Sequence, residues 1–412
     1  MNKYLLPAVA MMLGWGLRGF IGGGPFGAMI PGAMVLLALK LNKAPKDVSL
    51  LAAFAAVGIG FGGEETYGQT VGFVVKPESF WFGALGLAIK GAVWGALGAM
   101  IVALGTLPSP RLVTIATLLM LAATELGWRL INHPKLIYFS NRLDRPREEL
   151  WAGLLFASLA LALLLKQYRF AAWTALGGFI GFGLGGIIHG LCNIYFGPWK
   201  LHSWKYMEFT FGFCFGLALA HVPLPETPEP THTEPDGWLQ VLAAIAVTAY
   251  LFAAYPVLPV RYGYILAAVP ILIALTKLPW LAKHVAYSIT FTAFAFDLAR
   301  YWSREYKLGP PEPAYALAIL ASIAFAFTVN RYYANTRAML ELLTWSAVIV
   351  ALLKFSFSPG GILDGIAFAF FVMALAVSWL IRRDQTTNAI GSGIPSHSNL
   401  SNPSMSRTPS IS

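Results

Sequence analysis

Residues 154–165 read LLFASLALALLL. A strand in a membrane barrel alternates apolar and polar residues over segments of about 10, and this block does not alternate. In hydrocarbon the remaining choice is a helix, which satisfies its own backbone groups. Outward from this block, apolar runs of about 18 residues or more recur along the whole chain. Charged residues make up 12% of the 412 residues, against about 25% in a soluble domain, and the mean hydropathy is +0.64. The fold class is therefore all-α, a polytopic integral membrane protein with about 14 transmembrane helices.

Composition excludes several classes. The net charge of +10 comes from Lys and Arg at the ends of apolar segments, not from a basic arm. That pattern suits anionic headgroups rather than nucleic acid. Cys192 and Cys214 lie in apolar segments, which leaves no disulfide framework and no cysteine zinc cluster. The opening MNKYLLPAVAMMLGWGLRGF runs into glycine and arginine without a small-residue cleavage site, so it reads as a retained first helix. No HExxH, Walker, GxSxG or Rossmann motif stands in a credible context, and no cofactor or metal is expected.

Composition shifts at HVPLPETPEPTHTEPDGW, 221–238. The expected organisation is a Gly-rich eight-helix module over 1–222, a Pro-rich acidic linker over 223–237, a six-helix module over 238–382, and a disordered Ser/Asn/Pro-rich tail over 383–412. The first module carries signs of a tandem duplication of a four-helix unit. LGW occurs at 13–15 and 126–128, IGFG at 59–62 and 180–183, and PGAMVLLAL (31–39) aligns with AGLLFASLA (152–160). Such repeats build paired halves of some transporters, and segments as short as 27–42 and 48–62 suit broken helices that line a site.

The Lys/Arg-rich loops, including Lys40–Lys46, Lys166 with Arg169, and Arg382 with Arg383, place both termini in the cytoplasm of a cell-membrane protein. The outer face then receives the loops near 19–26, 64–80, 131–148 and 191–205, and the candidate site residues gather there. Glu64 and Glu65, after the glycine run GFGG, are the candidate proton carriers or general bases, and His189 is a third acid/base candidate. Arg18, Tyr67, Gln69, Lys90, Arg129, Arg142 and Asn193 form the candidate substrate-binding set. Arg18 and Arg142 offer bidentate forks to an anion, the latter in a mixed-charge run that also holds Asp144, Arg145, Arg147, Glu148 and Glu149. Lys90 lies deep in an apolar segment and needs a carboxylate, with Glu64, Glu65 or Glu208 as expected partners. Glu125 and Arg129, four apart, suit each other as a helix-face pair. The same spacing puts His189 and Asn193 on one face.

These features predict a transporter for a small organic anion, proton-coupled through an embedded carboxylate. The alternatives are a membrane enzyme acting at the outer face on a lipid-linked or glycan substrate, and a non-catalytic assembly subunit. The expected partners are the lipid bilayer and a small anionic or phosphate-bearing substrate.

Overall fold

Helix is the only regular structure among the described residues of this computed structural model, which are 2–21, 24–41, 45–64, 67–107, 109–140, 149–197, 202–223, 234–257, 263–305, 309–356 and 365–392. In the first part of the chain, α1 (Asn2–Arg18), α2 (Gly24–Leu39), α3 (Pro45–Phe61), the short α4 (Tyr67–Val74) and α5 (Phe80–Leu104) precede a hairpin of α6 (Pro110–Gly127) and α7 (Trp151–Leu165). Then come α8 (Tyr168–Ile194) and α9 (Ser203–His221). The second part comprises α10 (Gly237–Val257), α11 (Gly263–Lys277), α12 (Ile289–Arg300), α13 (Pro311–Tyr332), α14 (Thr336–Ser356) and α15 (Gly365–Ser392).

Among the described residues seven helices are long and apolar enough to cross a membrane, or eight if the bent pair Val48–Glu64 and Tyr67–Val74 counts as one span. The bend in that pair is 57°. Gly24–Leu39, Trp151–Leu165 and Gly263–Lys277 are apolar but shorter. At 1.5 Å per residue a 16-residue helix is about 24 Å long, short of the ~30 Å hydrocarbon core. Length sets these three apart from the seven, whereas α9, with 19 residues, is long enough but too polar to be counted with them.

Six helices of the first part close a ring. Gly14 of α1 meets Pro31 of α2, Gly32 of α2 meets Ala55 of α3, and Gly62 at the end of α3 meets Trp94 of α5. Gly91 of α5 meets Gly178 of α8, Gly181 of α8 meets Phe211 of α9, and Gly212 of α9 returns to Met11 of α1. Small residues at these crossings let backbones approach without a hydrophobic drive between helices in lipid. The tightest approach of backbone to backbone is α5 on α8, where a Cβ on Gly178 would lie 2.0 Å from the Gly91 carbonyl oxygen. Each neighbour runs antiparallel to the next, as Ala8 against Gly216 and Gly16 against Phe209 show for α1 and α9. Aromatic rings fill the ring's interior. Trp15 packs edge-on against Trp94 at 4.9 Å and Phe211 at 4.5 Å between centroids, and Phe182 adds a contact to Phe211 at 4.6 Å.

The α6–α7 hairpin lies outside the ring. A π-helical turn, Trp128–Asn132, ends α6 and aims the buried Asn132 at α7. Its Oδ1 accepts the backbone N–H groups of Ala152 and Gly153 at 3.1 and 3.2 Å, satisfying donors that α7 leaves open.

The second part packs directly on the ring. Phe26 stacks on Phe252, Phe20 stacks on Phe355, and Lys354 donates to the Phe20 carbonyl just past α1. Lys354 also pairs with the buried Asp297, which holds Arg300 at 2.8 Å. At the opposite end of α12, Glu234 bridges Lys283 at 3.1 Å and Tyr333 at 2.7 Å. Burial pushes the Glu234 carboxyl up, but the bonds from Tyr333 and Lys283 outweigh it and hold it below the usual carboxylate range. Burial and the same carboxylate push the Tyr333 phenol up to about 12. The acidic linker expected over 223–237 therefore has an anchored C-terminal end, while 224–233 lie outside the described residues. The tail expected from 383 begins inside α15, which continues to Ser392.

Candidate functional site: the polar mouth of the helix ring

At one end of the ring the C-terminus of α1, α4 and the N-terminus of α9 bring a set of polar side chains together. The Arg18 side chain is buried, and it donates from NH1 to the Tyr67 hydroxyl at 2.6 Å. Three rings surround its guanidinium, with Trp94 at 4.9 Å, Tyr67 at 5.1 Å and Trp15 at 5.7 Å to the centroids. Cation–π attraction offsets part of the cost of removing that charge from water.

Glu208, fully buried, is the carboxylate of the mouth. It accepts from Lys205 at 2.6 Å, from the Trp204 indole at 3.1 Å and from the Tyr67 hydroxyl at 3.4 Å. Arg18 stands 4.0 Å from it. Lys205 also donates to the Gly16 carbonyl at 3.1 Å, which ties α9 to the end of α1. Lys205 thus neutralises Glu208 at close range, and the Arg18 charge is left over. At the mouth two buried donors, Arg18 Nε and Trp15 Nε1, have no acceptor among the described residues. They sit three apart on α1, on the face turned into the ring.

Beside the mouth, His189 packs edge-on against Trp204, and Asn193 donates to the His189 carbonyl at 2.8 Å and to Ser203 at 3.0 Å. Arg18, Tyr67, His189 and Asn193 are therefore brought to one end of the ring, as the sequence places them. Trp15, Trp94, Trp204 and Lys205 complete it and were not singled out. The spacing of Trp204, Lys205 and Glu208 at i, i+1 and i+4 was the legible signal for the last two.

Other expectations are corrected. Lys90 does not pair with Glu64 or Glu208. Its ammonium meets Glu149 at 2.8 Å and the Thr70 hydroxyl at 2.9 Å, all three side chains being buried. Glu149 completes its set by accepting from Phe139 N at 2.9 Å. The chain folds the end of the mixed-charge run inward, so that residue belongs to the protein's interior and not to a solvated loop. Glu64 instead accepts the backbone N–H of Tyr264 at the start of α11, at 2.7 Å. Arg129 pairs with Glu125 at 2.7 Å on an exposed helix face, apart from the mouth. Gln69 is half-buried on α4. Glu65, Arg142 and the other charges of 141–148 lie outside the described residues.

The short α4 links the two polar sets. Tyr67 faces Arg18 and Glu208, while Thr70, one turn later, faces Lys90. Among the described residues no three His, Cys, Asp or Glu side chains gather as metal ligands. No family model matches the chain, and no curated protein and no solved structure matches it.

Proposed function

We propose that this protein is a membrane carrier for a small organic anion, with the ring mouth as its anion site. The observation that carries this reading is the pair of orphaned donors on α1, Arg18 Nε and Trp15 Nε1, both buried beside an arginine whose charge Glu208 does not fully absorb. Buried donors without acceptors are rare in folded proteins because each costs its desolvation. A carboxylate or phosphate oxygen supplies the missing acceptor, and a guanidinium edge receives it in a fork.

Coupling to protons is assigned to Glu64. A coupling carboxylate must titrate without stranding a buried cation. Glu149 and Glu208 each hold a lysine, whereas Glu64 holds a backbone N–H that joins the bent α3–α4 pair to α11. Proteoliposomes with an imposed pH gradient test the reading, using labelled succinate, lactate and phosphate. Wild type is expected to accumulate at least one of them. Arg18→Lys, which keeps the charge but loses the fork, should lower uptake at least tenfold, and Trp15→Phe should weaken apparent affinity. Equal uptake by wild type and Arg18→Gln overturns the site.

One observation favours a second reading. The aromatic block of Trp15, Trp94, Phe182 and Phe211 closes the ring beneath the mouth, and a site open to one side suits an enzyme acting at that face. In that reading His189 is the base and Arg18 holds a phosphate or glycan-linked anion. Turnover at one face without uptake of any anion would select it.

We further infer that the shorter helices also cross the bilayer, giving fourteen passes. What supports this is their alternation: α1–α3, α5 and α6–α15 run in turn between the Arg18 end and the Glu234 end. A tandem repeat in the first part has one supporting contact pair. Gly14 and Gly127, from the two LGW stretches, meet Pro31 and Ala152, which are aligned positions of the two later stretches. Cysteines introduced at Arg169 and Glu78 should be labelled from opposite sides of the membrane, the former cytoplasmic. Labelling of both from one side removes the fourteen-pass topology.

A further inference from the structure

Between α14 and α15 lies a cleft of about 640 Å³, within the range of small-molecule sites. α14 opens the candidate span Thr336–Ser356, and α15 closes the candidate span Gly365–Asp384. The cleft therefore lies where hydrocarbon gives way to headgroups. Arg337, Arg382 and Glu341 are its charged lining, and Leu342, Trp345 and Ile381 give it apolar walls.

The charged groups stand in a fixed order of depth. Arg337 lies in the first turn of α14, and Arg382 lies in the last turn of the α15 span. Arg337 pairs with Asp384 at 3.4 Å, which joins the two helix ends. A guanidinium carries five N–H donors, so it can hold a second oxyanion beside that one. Glu341 follows Arg337 by four residues, about 6 Å deeper along the axis. It is half-buried and forms no ion pair among the described residues. A chain of hydrogen bonds holds it. The Trp345 indole donates to the Ser378 hydroxyl at 3.1 Å, and that hydroxyl donates to Glu341 Oε2 at 3.3 Å. An indole can only donate, so the direction of the chain is fixed. Oε2 is thereby committed to α15, and Oε1 is left as an acceptor below the level of the two guanidiniums. A carboxylate at that depth gains from any donor that an occupant brings.

Basic clefts between transmembrane helices take phospholipid head groups. Glu341 narrows the choice of lipid. In diacyl phospholipids any further donor, such as an ethanolamine amine, lies on the solvent side of the phosphate. On the chain side stand only ester oxygens, which would meet Glu341 as acceptor against acceptor. A monoacyl lipid instead carries a hydroxyl on the glycerol carbon next to the phosphate-bearing one, on the chain side. We propose that the α14–α15 cleft binds a monoacyl glycerophosphate lipid, with its phosphate on Arg337 and Arg382, its glycerol hydroxyl donating to Glu341 Oε1, and its chain along Leu342 and Trp345.

The test uses the full chain in phosphatidylcholine nanodiscs, doped at equal mole fraction with 1-oleoyl glycerol 3-phosphate, its 2-O-methyl ether or dioleoyl phosphatidate. Native mass spectrometry counts the lipid retained on the released protein. The hydroxyl form should be retained about tenfold more strongly than either of the others, the effect of one charge-assisted hydrogen bond. Glu341→Ala should bring the first two lipids to parity, and Arg382→Gln, at an exposed position, should weaken both. Equal retention of the hydroxyl and methyl ether forms by wild type overturns the proposal without reference to any variant. So does unchanged retention in a folded Arg382→Gln protein. Displacement of the bound lipid by soluble glycerol 3-phosphate at the same concentration also overturns it, by marking a site for a free anion.

Discussion

Lys90→Met is expected to destabilise the protein by about 3–5 kcal/mol, because it strands Glu149 in the interior. Both side chains are 1% exposed, and the pair lies between α5 and the start of α7. Glu149→Gln should cost a similar amount from the other side, leaving the ammonium with only the Thr70 hydroxyl. The double variant Lys90→Met/Glu149→Gln should recover most of the loss, since removing both members of a buried pair is often neutral. Unfolding in mixed micelles measures this directly. Additive losses in the double variant would show that the two charges act independently and would refute the pairing. The anion site is separate from this pair, so the double variant should keep the affinity of the ring mouth.

Gly178→Leu should prevent the ring from closing. The atom that a side chain would strike is the Gly91 backbone oxygen, 2.0 Å from the Cβ position, and backbone cannot rotate away as a side chain can. Overpacking typically costs about 1–3 kcal/mol and more where neighbours cannot yield. Because α5 and α8 are both ring members, the expected result is loss of folded protein in a stability assay, with Gly178→Ala intermediate. Gly197→Ala, with nothing within 4 Å of its Cβ position, is the control and should behave as wild type. A folded Gly178→Leu protein with an unaltered melting temperature would show that the α5–α8 crossing is wider than described.

The helical class was readable from the sequence because apolar runs such as 154–165 admit no other backbone in lipid. Arg18 and Tyr67 were readable as candidate site residues because each is polar beside long apolar stretches. Partner choice was not. Glu149 lies 59 residues from Lys90 along the chain, more than twice the distance of Glu64, so proximity in sequence points to the wrong carboxylate. The pairing depends on how the α6–α7 hairpin returns to α5. The aromatic box of Arg18 was equally hidden, since Trp15 and Trp94 read as ordinary apolar residues until the ring places them on either side of one guanidinium. Glu208 reads from the sequence only as an expected partner of Lys90. Its contacts with Lys205, Trp204 and Tyr67 give it a different role.

The ring also sets an order of events during synthesis. Its closing contact joins α1 to α9, with Gly16 against Phe209 and Arg18 beside Glu208. The partner of the first helix therefore leaves the ribosome close to two hundred residues after it. At about 5–20 residues per second, α1 waits about 10–40 seconds for its neighbour. Throughout that interval Arg18 has neither Tyr67's neighbour Glu208 nor the Lys205 tie to Gly16. An insertase or chaperone that shelters a charged, incompletely paired helix is thus most needed before residue 209 is made, and truncation between α8 and α9 should leave α1 the most exposed to quality-control proteolysis.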